Sequence, residues 1–189
     1  MTASSAHDLS LTPKARLTPL ADNRYNLELA GYLKPGWSGR LASRLSDEGI
    51  NVLRGAGRKA SAINWEASFE LLIPASVRNP LHLDYLTMAC APLSTRPATN
   101  ELMLERFALV DDSRHAGSLR VEVKAPDRLG LLASLLRVFS FYSLFPVEME
   151  IETVSNAASN RFWLKGIGSL KPSEDDCSNL KMALAGLTS

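Results

Sequence analysis

Two stretches of this chain are near copies of each other. Residues 34–45 read KPGWSGRLASRL and residues 125–136 read APDRLGLLASLL, so that Pro35, Gly39, Leu41, Ala42, Ser43 and Leu45 match Pro126, Gly130, Leu132, Ala133, Ser134 and Leu136 at a separation of 91 positions. In a chain of 189 residues this duplication restricts the architecture severely. Each half has to be built from the same unit, and a unit of roughly 90 residues sits near the lower end of what folds comfortably alone. Each half is therefore expected to lean on the other.

The apolar content, 46% against 22% charged, is enough for a packed core and argues against disorder. A net charge of +1 provides no broad positive field for nucleic acid or an anionic membrane surface. No apolar run approaches the roughly 20 residues of a spanning helix. Cys90 and Cys177 are far apart and outside any C-x-x-C spacing. With no secretory start in view, they read as reduced, structural thiols in a cytoplasmic protein. The opening MTASSAHDLS is small and polar and reads as a frayed tail.

Periodicity places the elements. ARLTPLADNRYNLELAGY is a hairpin turning at Ala21–Arg24, where Asp and Asn tolerate tight-turn geometry. After a turn at Pro35–Gly39, Trp37, Leu41 and Leu45 form one face of an amphipathic helix that ends near Gly49. Two strands follow, the second alternating Ile63, Trp65, Ala67, Phe69 and Leu71. Asn79 and Pro80 then resemble the cap and first residue of a short helix carrying Leu81, Tyr85 and Met88. Residues 93–100 read as a linker between domains at 11–92 and 101–189.

The second half repeats this order. A hairpin pairs Leu102–Val110 with SLRVEVKA, a helix from Gly130 to Tyr142 buries Leu132, Leu135, Leu136 and Phe139, and two strands follow. Ser173, trailed by Glu174, Asp175 and Asp176, suits the start of a last helix carrying Leu180, Leu184 and Leu187. The fold class is α+β: two ferredoxin-like α/β sandwiches, each an antiparallel sheet with two helices on one face. A ferredoxin-like sheet ordinarily gains a last strand beside its first, but nothing follows the final helix here. The leading hairpin strand of each half, Ala15–Leu20 and Leu102–Val110, is expected to take that edge; the alternative gives Leu102–Val110 to the first half and leaves the second one strand short.

The strand VEVKAP running into Asp127-Arg128-Leu129-Gly130-Leu131-Leu132 at the head of a helix resembles the ACT domain family of small-molecule-sensing modules. Tandem ACT pairs, such as those ending bacterial nitrogen-sensing uridylyltransferases, are the nearest pattern. The resemblance runs from about Ser118 to Gly168 and from about Tyr25 to Leu72. The first copy has Gly36-Trp37-Ser38-Gly39 in place of the charged pair, and the second has SLFPVEM where the family often carries a Gly-Ile-Asn-Val entry. The resemblance implies ligands between paired domains, held by the first strand–helix turn and the entry to the next strand. Carried over, these places are Pro126–Leu131 with Ser143–Phe145, including Leu144 and Phe145, and Pro35–Arg40 with Gly49–Val52, including Gly36, Ser38, Gly39 and Asn51.

The chemistry suits an amino acid. Amides at a helix N-terminus lack acceptors and sit at its positive end, which fits a carboxylate. Gly130 permits close backbone approach. Asp127 is placed to accept from an ammonium and Arg128 to meet a second carboxylate; equally, both are consistent with a solvated helix cap. The expectation is a regulatory sensor of a free amino acid or related carboxylate, with no cofactor, metal or catalytic centre. It is expected to form a homodimer, to act on a possible protein target, and to bind neither nucleic acid nor membrane.

Rival readings rest on single features. No H-E-x-x-H, G-x-S-x-G or Walker-type loop appears, and His7, His82 and His115 fall in a tail, a short helix and a loop. Arg128 leaves a thin case for a small phosphoesterase. NRFWLKG, with Phe162 and Trp163 beside Arg161 and Lys165, hints at RNA binding, yet adjacent strand residues face opposite sides. A ligand-free protein–protein module is the third alternative.

Overall fold

The computed structural model describes residues 10–92 and 102–188. The expected linker 93–100, and all of the expected tail except Ser10, lie outside the described residues. The first half forms β1 (Lys14–Pro19), β2 (Arg24–Tyr32), α1 (Trp37–Asp47), β3 (Asn51–Lys59), β4 (Asn64–Leu72) and α2 (Tyr85–Cys90). The second forms β5 (Arg106–Asp112), β6 (Ser118–Pro126), α3 (Leu131–Phe141), β7 (Phe145–Val154), β8 (Ala157–Lys165) and α4 (Glu174–Ala185).

The strands join one sheet in the order β1-β2-β4-β3-β7-β8-β6-β5. Read from either end, each half runs edge strand, first strand, third, second, which is the ferredoxin-like arrangement. The leading hairpin strand occupies the edge in both halves: β1 pairs antiparallel with β2, and β5 with β6. The α+β, ferredoxin-like class expected above is the observed one. The two four-stranded sheets meet along β3 and β7, antiparallel, with Gly55 opposite Ile151 and Gly57 opposite Met149. Above that seam α1 packs on α3.

Local chemistry accounts for most boundaries. Asp22 and Asn23 both adopt positive φ, 57° and 56°, as the first hairpin needs. Ser173 caps α4 in a capping box with Asp176. The core is one cluster spanning both halves. In the first, Trp37 meets Trp65 edge-on at 5.3 Å between ring centres; in the second, Phe139 meets Phe162 at 5.0 Å. Such pairs contribute about 0.5–1.5 kcal/mol beyond their burial.

Three expectations shift. The helix read from Asn79 is a single 3-10 turn at Pro80–His82 after a left-handed Asn79; α2 proper begins at Tyr85 because Asp84 accepts from the Thr87 amide. The strand read from Leu102 begins at Arg106, since Leu104 instead donates its amide to the Leu187 carbonyl, 2.8 Å away, and so ties the chain to the end of α4.

The third concerns the repeat itself. Structurally, α1 begins at Trp37 and α3 at Leu131, each after a left-handed glycine cap, a separation of 94 rather than 91 positions. Strand irregularities agree: the register slips between Val52 and Arg54 in β3 and between Pro146 and Glu148 in β7. The true counterpart of Gly130 is therefore Gly36, and Gly39 lies inside the first turn of α1. A three-residue slip is nearly one helical turn, so it preserves the apolar stripe and is silent in the sequence.

Candidate ligand site

Gly36 and Gly130 are the residues that let a strand turn abruptly into each core helix. Both are N-caps in the left-handed region, at φ 78° and 83°, which side chains other than glycine occupy at a cost. Neither helix carries an acid in its first turn. Among the described residues the amides of Ser38 and Gly39 have no acceptor, leaving the positive end of α1 unmatched by the chain.

The two helix heads face different surroundings. Because β3 and β7 run antiparallel at the seam, the head of each helix lies beside the strand entry of the other half. Asp127, Arg128, Gly130 and Leu131 gather with Asn51 and Val52, while Gly36, Ser38 and Gly39 gather with Phe145, Pro146 and Val147. The expected pairings within each half, Pro126–Leu131 with Ser143–Phe145 and Pro35–Arg40 with Gly49–Val52, are thus exchanged. Leu144 joins neither group: it is fully buried in the core, its amide bonded to the Phe139 carbonyl.

The crevice at the head of α3 is shut. Asn51 Nδ2 donates to Asp127 Oδ2 across the seam at 2.9 Å, and Ile50, Leu132 and Ile151 close in around it. The remaining space is about 20 Å³, room for a single water molecule at most. Asp127 is therefore committed to the opposite half. Asn160 Oδ1 and Arg128 Nη2 are buried and have no hydrogen-bond partner among the described residues.

The crevice at the head of α1 is open, a cavity of about 1220 Å³. Trp37, Ser38 and Gly39 form one side, Trp65 and Lys59 another, and Phe145–Val147 with Gly166–Ser169 the wall from the second half. It extends along the groove between the two helices past Ser43, Arg137 and Ser140, and Leu129 and Gly130 border it from α3. Trp37 is 1% exposed, and its Nε1 has no partner among the described residues. A buried, unpaired donor of this kind costs about 1–3 kcal/mol.

Arg40 and Lys165, two of the cations around this cavity, are held from outside it. Arg40 donates to the carbonyls of Ala89 at 2.8 Å and Lys34 at 3.1 Å, and burial pulls its pKa down, partly opposed by Cys90. Lys165 donates to three successive carbonyls, those of His115, Ala116 and Gly117, and burial lowers its pKa too. Lys59 reaches from the end of β3 to Ser169 Oγ in the second half at 3.0 Å.

The sequence reading singled out Gly36, Ser38, Gly39 and Phe145, which all line the open cavity, but overlooked Lys59, Trp65 and Arg137. The last three sit at the end of β3, on β4 and in the middle of α3, so no local motif unites them. Phe162 and Trp163, the aromatic pair noted for possible stacking, are both buried; Trp163 lies beneath Arg114 at 4.7 Å and donates to Asp112. Among the described residues no three His, Cys, Asp or Glu side chains cluster so as to hold a metal ion. Nor is any described helix long and apolar enough to cross a membrane.

No family model matches the chain, and no curated protein matches it. Among solved structures it is similar to an aspartate kinase from Synechocystis, at 14% sequence identity and a TM-score of 0.47. The match covers 87% of this chain and 27% of that one, so the chain spans about a quarter of that protein's length.

Proposed function

We propose that this chain is a regulatory module without a catalytic centre, binding a free amino acid or related small carboxylate in the cavity at the head of α1. The observation that carries this reading is the inequality of the two related crevices. One is reduced to about 20 Å³ and sealed by a hydrogen bond between the halves, while the other keeps about 1220 Å³ beside an unmatched helix N-terminus. A fold that needed only packing at these places would close both. Since the cavity walls come from both halves, a molecule bound there ties α1 to the second half and changes how firmly the seam is held. That is how occupancy would be transmitted to a protein target or a second copy of the chain, for which the sheet edges β1 and β5 are available.

The test is a thermal-unfolding screen of the full chain against the common amino acids and short carboxylates at millimolar concentration. A ligand at a hundred times its dissociation constant raises stability by about 2.7 kcal/mol, several degrees for a protein of this size. The shift should disappear in Ala62→Trp, which places a large ring at the exposed rim of the cavity. No shift with any compound overturns the reading, as does a shift that Ala62→Trp leaves intact.

A further inference from the structure

Charge is distributed unevenly over this molecule. Arg24, Arg54, Arg58, Arg114, Arg120 and Arg161 all meet carboxylates within ion-pair distance. The cavity at the head of α1 is different. Arg40, Arg44, Lys59, Arg137 and Lys165 line it against one acid, Asp47, and among the described residues none of the five forms an ion pair. Arg40, Arg44 and Lys165 spend their donors on neutral carbonyls, which orients them and leaves their charge uncompensated. A cleft lined by one sign of charge concentrates ligands of the other.

A zwitterion with one carboxylate is neutral overall and gains little from such a field. A second carboxylate gains much more. Lys59 is the cation best placed to receive it. Its only partner among the described residues is the hydroxyl of Ser169, a neutral acceptor that water can replace, and the bond spans the rim from one half to the other. A charge-assisted bond from an ammonium to a carboxylate is roughly twice as strong as one to a neutral group.

Resting on the binding reading above, we infer that the cavity selects an amino acid with two carboxylates, of the aspartate or glutamate class, and that Lys59 is the specificity-determining residue, leaving Ser169 for the side-chain carboxylate. The α-carboxylate then takes the amides at the head of α1.

The experiment compares acid and amide pairs by calorimetric titration of the full chain: L-glutamate against L-glutamine, and L-aspartate against L-asparagine. One acid should bind at least tenfold more tightly than its own amide, and that preference should weaken as salt rises from 50 to 500 mM. Lys59→Gln should bring acid and amide within about twofold, whereas Lys59→Arg should keep the preference. Equal binding of acid and amide by the wild type overturns the inference while leaving a general amino-acid site standing, and so does an undiminished preference in Lys59→Gln. Failure of all four compounds overturns the inference too, and if the broader screen is also blank, the binding reading falls with it.

Discussion

Gly36 and Gly39 stand three positions apart and do different jobs. Gly36 holds a left-handed N-cap; Gly39 sits in the first turn of α1, where an added Cβ would meet Leu136 Cβ at an ordinary 3.8 Å. Gly39→Ala should therefore raise stability, by up to about 1 kcal/mol, through helix propensity. Gly130→Ala, at φ 83°, should lower it by about 1–2 kcal/mol. Urea denaturation of the two variants separates the observed repeat spacing of 94 from the apparent 91, because the apparent spacing makes these glycines equivalent.

Tyr85 makes a second prediction at this scale. Burial, helped by Tyr25, pushes its phenol up to about 12, and its hydroxyl donates to the Pro80 carbonyl at 3.0 Å. The unfolded chain ionises first, near pH 10. The folded state thus binds the extra proton, and this group's contribution is intact below pH 10 and lost as pH climbs towards 12. Two pH units correspond to about 3 kcal/mol. In alkaline denaturation followed by circular dichroism, Tyr85→Phe should lose less stability over that window than the wild type does; equal losses would rule out this cause.

Among the elements, β3 and β7 are each paired on both sides and together form the seam, and β3 carries a glycine that its neighbour strand crowds closely. A Cβ built on Gly55 would lie 2.4 Å from the Ser68 carbonyl oxygen and 2.5 Å from the Phe69 ring, and the first of these is backbone that cannot swing away. Gly55→Ala should cost about 1–3 kcal/mol, the usual range for overpacking, measurable as a lower urea midpoint. A neutral result would mean that β3 and β4 sit further apart than described. Strand alternation made β4 recognisable, and the capping residues around Ser173 made α4 so. The short helix after Asn79 was misplaced since Asn-Pro and Asp84 both offer plausible starts within six residues. Packing against β1 and α1 decides between them.

For the whole molecule, the continuous sheet and shared core imply that neither half unfolds alone. Trp37 and Trp65 belong to the first half and Trp163 to the second. In a Trp163→Phe background, fluorescence follows the first half only while circular dichroism follows both. The two midpoints in urea should coincide. Separate transitions would show that the seam between β3 and β7 is too weak to couple the halves, and would also remove the route by which a ligand at the cavity influences the second half.

The duplicated, alternating and periodic stretches of the chain determined the α+β class, the order of elements in each half, and the placing of a leading strand at each sheet edge, because these follow from local periodicity and from turn and cap chemistry. Which residues face one another across the seam was decided only in three dimensions. Antiparallel pairing of β3 with β7 sets each helix head against the other half's strand, so Asp127 meets Asn51, and Lys59 and Phe145 come to line one cavity although 86 positions separate them. Contacts between elements far apart in the chain depend on how two sheets dock, and no run of neighbouring residues records that.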